Sequence, residues 1–206
     1  MEEVYKENVN AEGRALIEKA ELYHQNNQYN LSEVKYLKAI EYCKILIDDY
    51  DFEYVRDLAL ACKGYARLLR DADRINRAIE LQITSLHFLD ELESNYAYGA
   101  ILLKIKGQQL LGELYLETNQ LVLAEEAFQK SLDFILLDYN DPQFMNDDAR
   151  ILKGNCLDFL ARTKKEKGQI EEAIEIYKEV LQILLELNAN QPGKFDDQIK
   201  SIQLEL

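Results

Sequence analysis

One spacing of small and aromatic side chains occurs four times along the 206-residue chain. In each copy a small residue is followed by marked positions three, twelve, sixteen and nineteen residues later. Intervals of three and four place side chains on one stripe of a helix, and a polar gap divides every copy in two. Each copy is therefore predicted to be an antiparallel pair of helices with an apolar seam. The copies are Ala20, Tyr23, Ser32, Tyr36 and Ala39; Ala66, Leu69, Ala78, Gln82 and Ser85; Gly112, Tyr115, Ala124, Phe128 and Ser131; and Ala161, Lys164, Ala173, Tyr177 and Val180.

The composition agrees with long helices. The chain has only 2 prolines and 8 glycines, so few positions interrupt a helix. A β-sandwich with many turns is excluded on the same ground. In the fourth copy Gly168 follows the first helix, where a glycine commonly ends a helix.

Two copies carry a resemblance to a known family. The segment Leu111-Gly112-x-x-Tyr115, followed by Ala124-x-x-x-Phe128 and Ser131, resembles a tetratricopeptide repeat, and the fourth copy is nearly as close. The second copy departs from the pattern, because Leu69 and Gln82 replace both aromatic residues. The resemblance implies an all-α fold, a right-handed α-solenoid of about four antiparallel helical hairpins.

We expect a single domain over residues 1–206. Its hairpins are predicted at about 11–47, 57–93, 103–137 and 150–187. The tail has Phe195, Ile199, Ile202 and Leu206 at intervals of four, three and four, which predicts an amphipathic capping helix within 194–206. A solenoid needs such a cap because its last repeat otherwise exposes an apolar face.

The repeat is longer than the common form of the family. Equivalent positions lie 46, 46 and 49 residues apart, whereas the usual period is about 34. This resembles the long-repeat branch, as in kinesin light chains and bacterial peptide-sensing regulators. We expect the extra residues to lengthen the second helices and to form loops whose aromatic side chains pack under the next hairpin.

The net charge, the N-terminal sequence and the cysteines limit which partners, location and bound groups we expect. The net charge of −14 repels nucleic acid and anionic lipid, so neither is an expected partner. The N-terminus does not resemble a secretory signal and no run is long enough to span a membrane, so we expect a cytoplasmic protein. Cys43, Cys62 and Cys156 are widely spaced, which predicts buried reduced thiols rather than a disulfide or zinc site.

No motif for catalysis, cofactor binding or metal binding stands out. His24 and His87 lie in different hairpins, and neither has the sequence context of a metal or catalytic site. The acidic segment 138–148 lacks the central glycine and final glutamate of a calcium loop. We therefore expect no catalytic residues, no cofactor, no metal and no enzymatic activity.

The resemblance also implies which residues would line a concave groove. Positions two, five, nine and twelve of each repeat give sixteen residues, of which seven are basic and three acidic. This strip reverses the balance of the whole chain, and it predicts a site for an acidic peptide. A solvated face without a binding role is the alternative interpretation. The predicted peptide-binding residues are Lys63, Arg67, Arg70, Lys106, Gln109, Asn155, Arg162 and Lys165.

The function implied is a non-catalytic scaffold or adaptor that binds a partner protein or peptide. The chaperone-type carboxylate clamp of the family is not matched, because Ile17 and Glu21 occupy two of its positions. The alternative is a peptide-sensing module of a bacterial-type signalling regulator. A homo-oligomer through Tyr96, Tyr98 and the tail helix is a further hypothesis, and an enzyme or enzyme subunit is the remaining one.

Overall fold

The structure, a computed structural model, describes residues 2–46, 52–92, 97–138 and 146–206, and it is helical throughout those ranges with no strand. The all-α class and the order of four hairpins followed by a cap are confirmed. The helices are α1 (Glu2–Gln25), α2 (Tyr29–Leu46), α3 (Phe52–Asp71), α4 (Ile75–Asp90), α5 (Ala97–Glu117), α6 (Leu121–Asp138), α7 (Asp147–Glu166), α8 (Ile170–Asn190) and α9 (Asp196–Gln203).

The chain divides into two compact units, Met1–Leu114 and Tyr115–Leu206. In the first unit α1 packs against α2 and α3, and α3 packs against α2 and α4. In the second unit α7 packs against α6 and α8, and α8 packs against α9. The expectation of one domain over the whole chain stays a prediction.

The four turns inside the hairpins share one backbone conformation. Each has a residue with positive φ at the equivalent repeat position: Asn27 at 58°, Asp73 at 59°, Asn119 at 57° and Gly168 at 78°. In every case the next residue's N–H bonds a carbonyl five residues earlier, as in Gln28 to Tyr23 and Gln169 to Lys164. This is the Schellman ending of a helix, and Asn and Asp tolerate its left-handed residue better than most side chains do. Gly168 ends its helix as predicted.

The small residues lie where the two helices of a hairpin are in contact. Ala20, Ala66 and Ala161 are fully buried. Ser32, which stands where alanine is usual, donates its hydroxyl to the Ala20 carbonyl at 2.8 Å and is also fully buried. The hydroxyl is thus satisfied inside the contact, and the departure from alanine carries no cost of an unpaired polar group.

The aromatic positions of the second helices form the centre of the packing. Tyr36, Phe128 and Tyr177 are all buried, and burial raises the pKa of Tyr177 to about 12. Gln82 takes this place in the second copy, where it is equally buried. Its Oε1 has no hydrogen-bond partner among the described residues. The second hairpin therefore keeps the geometry of the repeat with a polar side chain at its centre.

The extra residues of the long repeat lengthen the first helices as well as the second. Helices α1, α3, α5 and α7 begin several residues before the predicted hairpin starts, and α8 continues to Asn190. The Phe52 ring lies against Gly99 of α5, as expected for an aromatic residue of the first connection. Tyr54 of the same connection is half-buried on α3, and the remaining aromatic residues of the connections, Tyr50, Tyr96, Tyr139 and Phe144, lie outside the described residues.

The tail forms the predicted cap. Phe195, Ile199 and Ile202 are buried in the apolar cluster that α7 and α8 share. Asn188 fixes the start of α9, because its side chain accepts from the Phe195 N–H at 3.2 Å and donates to Asp196 at 2.9 Å.

The cysteines and the membrane prediction can also be compared with the structure. Cys43, Cys62 and Cys156 are buried, as expected, and form no disulfide within the described part of the chain. Burial raises the pKa of Cys43 and of Cys62 to about 12. Within the described ranges no helix is both long and apolar enough to cross a membrane.

Two helix glycines provide a test of the packing. A Cβ added at Gly64 would lie 2.5 Å from the Tyr36 hydroxyl oxygen, whereas one added at Gly154 would meet its nearest neighbour at 3.5 Å. Gly64→Ala is expected to lower the free energy of unfolding by about 1–3 kcal/mol through overpacking. Gly154→Ala is expected to raise it by up to about 1 kcal/mol, because alanine favours the helix. Chemical denaturation measures both, and equal effects of the two changes would contradict the packing described.

Candidate functional site

The predicted inner positions of the first unit lie on α3 and α5. Lys63, Arg67 and Arg70 are spaced by four and three residues on one face of α3, and Lys106 and Gln109 lie on α5. Five of the eight predicted peptide-binding residues therefore belong to this unit.

Three of these cations have no carboxylate partner among the residues that the structure describes. Neither Lys63, Arg67 nor Lys106 makes an ion pair with any described residue. Lys63 is half-buried, and its pKa is lowered, first by burial and then by the positive charges of Lys106 and Arg67. The carboxylates of Glu21 and Glu113 raise the pKa of Lys63, but burial and the like charges outweigh them, so the setting is unfavourable for a cation. We name Lys63, Arg67 and Lys106 the cation cluster.

The neighbouring Arg70 is already neutralised. Its Nη1 donates to Glu113 Oε2 of α5 at 2.9 Å, and its Nε lies 3.8 Å from Asp71 Oδ1. Asp71 also contacts His24 Nε2 at 2.8 Å. The end of α3 is thus a network of opposite charges that joins α1, α3 and α5.

Arg14 of α1, another of the basic inner residues, is also neutralised. Its Nε lies 2.5 Å from Oδ2 of the buried Asp57, and its Nη2 donates to Glu53 at 2.9 Å. With its amide nitrogen turned towards Asp57, Asn10 donates a further bond at 3.0 Å. A buried carboxylate needs such partners, so this group serves the contact between α1 and α3.

The predicted residues of the second unit, Asn155, Arg162 and Lys165, lie on α7. Arg162 Nη2 pairs with Asp158 Oδ2 at 2.7 Å, and Lys165 Nζ pairs with Glu205 Oε2 at 2.5 Å. Glu205 belongs to the tail that follows α9. Both of these predicted cations, Arg162 and Lys165, are therefore paired with carboxylates of the chain itself.

A small cavity of about 130 Å³ opens between α7, α8 and α9. Val180, Leu184 and Ile202 give it an apolar floor, and Asn155, Asp158, Arg162, Gln198 and Ser201 are among its polar walls. Burial raises the pKa of Asp158 above its ordinary value, although the Arg162 ion pair acts in the opposite direction. Sequence reasoning missed the contribution of the tail, because nothing in the repeat pattern places Glu205 or Ser201 beside α7.

A second set of charges missed by sequence reasoning joins neighbouring hairpins. Glu33 of α2 accepts two bonds from Arg74 at 2.9 Å and one from the Tyr65 hydroxyl at 2.6 Å. The hydrogen bonds from Arg74 hold the pKa of Glu33 below its ordinary value. Burial, with the Glu33 carboxylate, raises the pKa of Tyr65 to about 12.

Glu125 occupies the same repeat position in the third copy. It pairs with Lys164, in the last turn of α7, at 2.7 Å and with Lys167, which directly follows α7. Burial raises the pKa of Glu125, but the hydrogen bonds from the two lysines outweigh it and the net pKa is lowered. The second and fourth copies have Ile79 and Ile174 at this position, so the acidic bridge occurs in alternate repeats.

The described residues can also be compared with the expectation about metal binding. They contain no group of three or more His, Cys, Asp or Glu side chains placed to hold a metal ion. Of the acidic segment considered as a calcium loop, residues 139–145 lie outside the described ranges.

Comparison with known proteins identifies the repeat. Residues 155–183 match the family model of the tetratricopeptide repeat. This segment of the chain is similar to a tetratricopeptide repeat. The matched range runs from the middle of α7 to the middle of α8, so it is the fourth hairpin. No curated protein matches the sequence.

Solved structures with TPR-like repeats share the fold. A Podosopora anserina kinesin light chain protein with nearly identical TPR-like repeats is 16% identical, with a TM-score of 0.68, over 94% of this chain and 82% of that one. The yeast histone chaperone Hif1 is 11% identical, with a TM-score of 0.62, over 98% of this chain and 96% of that one. The predicted resemblance to TPR proteins is confirmed, and together the repeat and the fold support a protein-interaction scaffold.

The Glu33 bridge predicts a pH dependence of stability. Because the pKa of Glu33 is lowered in the folded state, its stabilising effect is present above its ordinary pKa and is lost as the pH falls through the folded value. Glu33→Gln is expected to lower the free energy of unfolding by about 1 kcal/mol at neutral pH, after allowance for solvent screening. The deficit should shrink on acidification below about pH 4.5.

Glu126→Gln is the control, since Glu126 is an exposed carboxylate of α6. Urea denaturation at several pH values measures the three proteins. A wild type and a Glu33→Gln variant that lose stability in parallel would contradict the role given to the bridge.

Proposed function

We propose that this chain is a protein-interaction scaffold that binds an acidic segment of a partner protein at the cation cluster of its first unit. The observation that carries the proposal is the contrast among the seven basic inner residues. Arg14, Arg70, Arg162 and Lys165 have carboxylate partners within the chain, whereas Lys63, Arg67 and Lys106 have none among the described residues. Because these three side chains are positively charged, the ligand that we propose for them is an anionic group of another molecule.

The ion pairs of the second unit support this interpretation. There, equivalent inner positions meet carboxylates, and one of them, Glu205, comes from the tail. A basic residue on this face can therefore accept a carboxylate without change in the helix that carries it. Cations left without such a partner are the ones available to a peptide, and a bound carboxylate would relieve the repulsion around Lys63.

The fold gives general support. Hif1 is described as a scaffold protein that recruits protein complexes to core histones. The scaffold role is what we take from this comparison, and the acidic partner is inferred only from the charges of the present chain. Arg162 and Lys165 stay in the proposal as a secondary site that opens only if their internal partners are displaced.

Binding of a glutamate-rich peptide tests the proposal. Fluorescence anisotropy would compare this labelled peptide with a glutamine-rich peptide of equal length. We expect the acidic peptide to bind more tightly, and the double change Lys63→Gln with Arg67→Gln to weaken it by about ten- to a hundredfold, since each charged hydrogen bond is worth about 1.5–3 kcal/mol before competition with water.

Lys153→Gln together with Lys178→Gln is the matched control, because it removes two positive charges that lie outside the predicted site and are already paired, with Glu179 and Glu175. The control should bind the acidic peptide as the wild type does. Equal weakening by both double variants would show a nonspecific charge effect and contradict the site, as would equal affinity for the two peptides.

A further inference from the structure

Helix α2 has an unusual exposed face. One side of it packs into the first unit through Ser32, Tyr36, Ala39, Ile40, Cys43 and Leu46. The other side leaves Val34, Leu37 and Ile45 exposed by 59%, 46% and 52%. Val34, Lys38, Glu41 and Ile45 follow at intervals of four, three and four, so they form one stripe along the helix. We name these four residues the α2 stripe.

The two charges at the centre of the α2 stripe have no ion-pair partners among the described residues. Lys38 lies over the Tyr42 ring, 5.3 Å from its centroid. Glu41 is exposed. The stripe therefore has apolar ends and a centre with one positive and one negative charge.

This order of side chains is complementary to itself. When two α2 helices pack antiparallel about a two-fold axis between residues 39 and 40, Val34 meets Ile45 of the partner subunit. Lys38 then meets Glu41 of the partner subunit, and symmetry repeats both contacts. Every pair along the stripe is either apolar with apolar or positive with negative, and intervals of three and four are the spacing at which two packed helices contact each other.

We propose that the α2 stripe is a self-association surface through which two copies of this chain form an antiparallel helix pair. The surface lies on the second helix of the first hairpin and uses none of the cation cluster. The proposal goes beyond the scaffold function and does not depend on it.

A comparison with α6 shows why a second copy is the occupant that fits. Helix α6 also exposes Val122 and Leu137, at 60% and 69%. At the positions equivalent to the α2 stripe, α6 has Glu126, Lys130, Asp133 and Leu137. An antiparallel self-pair of α6 would also bring Lys130 opposite Asp133, but it would place the Glu126 carboxylate against the apolar Leu137 side chain at both ends. The α2 stripe has apolar residues at both ends, so it is complementary to itself along its whole length and the α6 stripe is not.

Net charge sets the strength of the association. Two copies with a charge of −14 repel each other, but α2 has three lysines against two glutamates and is locally positive. An 18-residue helix is about 27 Å long, and one such pair buries less than the roughly 1,600 Å² of a standard interface. We therefore expect a weak dimer whose population rises with protein concentration.

Charge reversal tests the pairing. Sedimentation equilibrium across a concentration series should show a monomer–dimer equilibrium for the wild-type chain. Lys38→Glu or Glu41→Lys alone should weaken the dimer by roughly tenfold, because each change places like charges opposite one another twice. The double variant Lys38→Glu with Glu41→Lys should restore the dimer, since it reverses both members of each pair.

The matched control exchanges charges on α6, with Lys130→Glu and Asp133→Lys, and should leave the dimer unchanged. All the substituted side chains are exposed, and circular dichroism checks that each variant keeps its helices. A wild type that is monomeric up to about millimolar concentration would overturn the proposal. Failure of the double variant to recover association would also overturn it, as would a monomeric chain whose α2 stripe captures only a different protein.

Discussion

The close contact between the two helices of a hairpin sets the positions of all other side chains in this structure. Small buried residues such as Ala20 and Ala161 allow that contact, and the left-handed residue of each turn fixes where the second helix begins. Once both are in place, the large side chains Tyr36, Phe128 and Tyr177 fill equivalent places. The same geometry aligns the inner residues of α3 and α7, and it thereby decides which charges are available to a ligand.

The basic side chains at the predicted inner positions are neutralised to different extents in the two units. In the second unit, Asp158 pairs with Arg162 and the tail residue Glu205 pairs with Lys165. In the first unit, Arg14 and Arg70 are neutralised in the same way, whereas the cation cluster makes no ion pair with a described residue. An acidic chain can thus present a local positive site, because its excess of carboxylates is used elsewhere in structural pairs such as Glu33 with Arg74.

The hairpins and the buried small residues could be predicted from the sequence because intervals of three and four have one geometric meaning in a helix. The turn at Gly168 could be predicted for the same kind of reason, whereas Asn27, Asp73 and Asn119 gave weaker signals because these side chains also occur within helices. The ion-pair partners could not be predicted. Whether Lys165 pairs with Glu205, or Lys63 finds a carboxylate in the described part of the chain, depends on side-chain rotamers and on how the tail packs. The spacing of residues in the sequence determines neither.

Amide chemical-shift mapping of the whole chain during titration with a glutamate-rich peptide tests the central claim most directly. The account predicts saturable shifts that centre on α3 around Lys63 and Arg67 and on α5 around Lys106, with smaller changes around Arg162 and Lys165. Shifts that centre on α7 and the tail, or that spread evenly over all exposed lysines and arginines, would contradict the claim that the first unit presents the binding site.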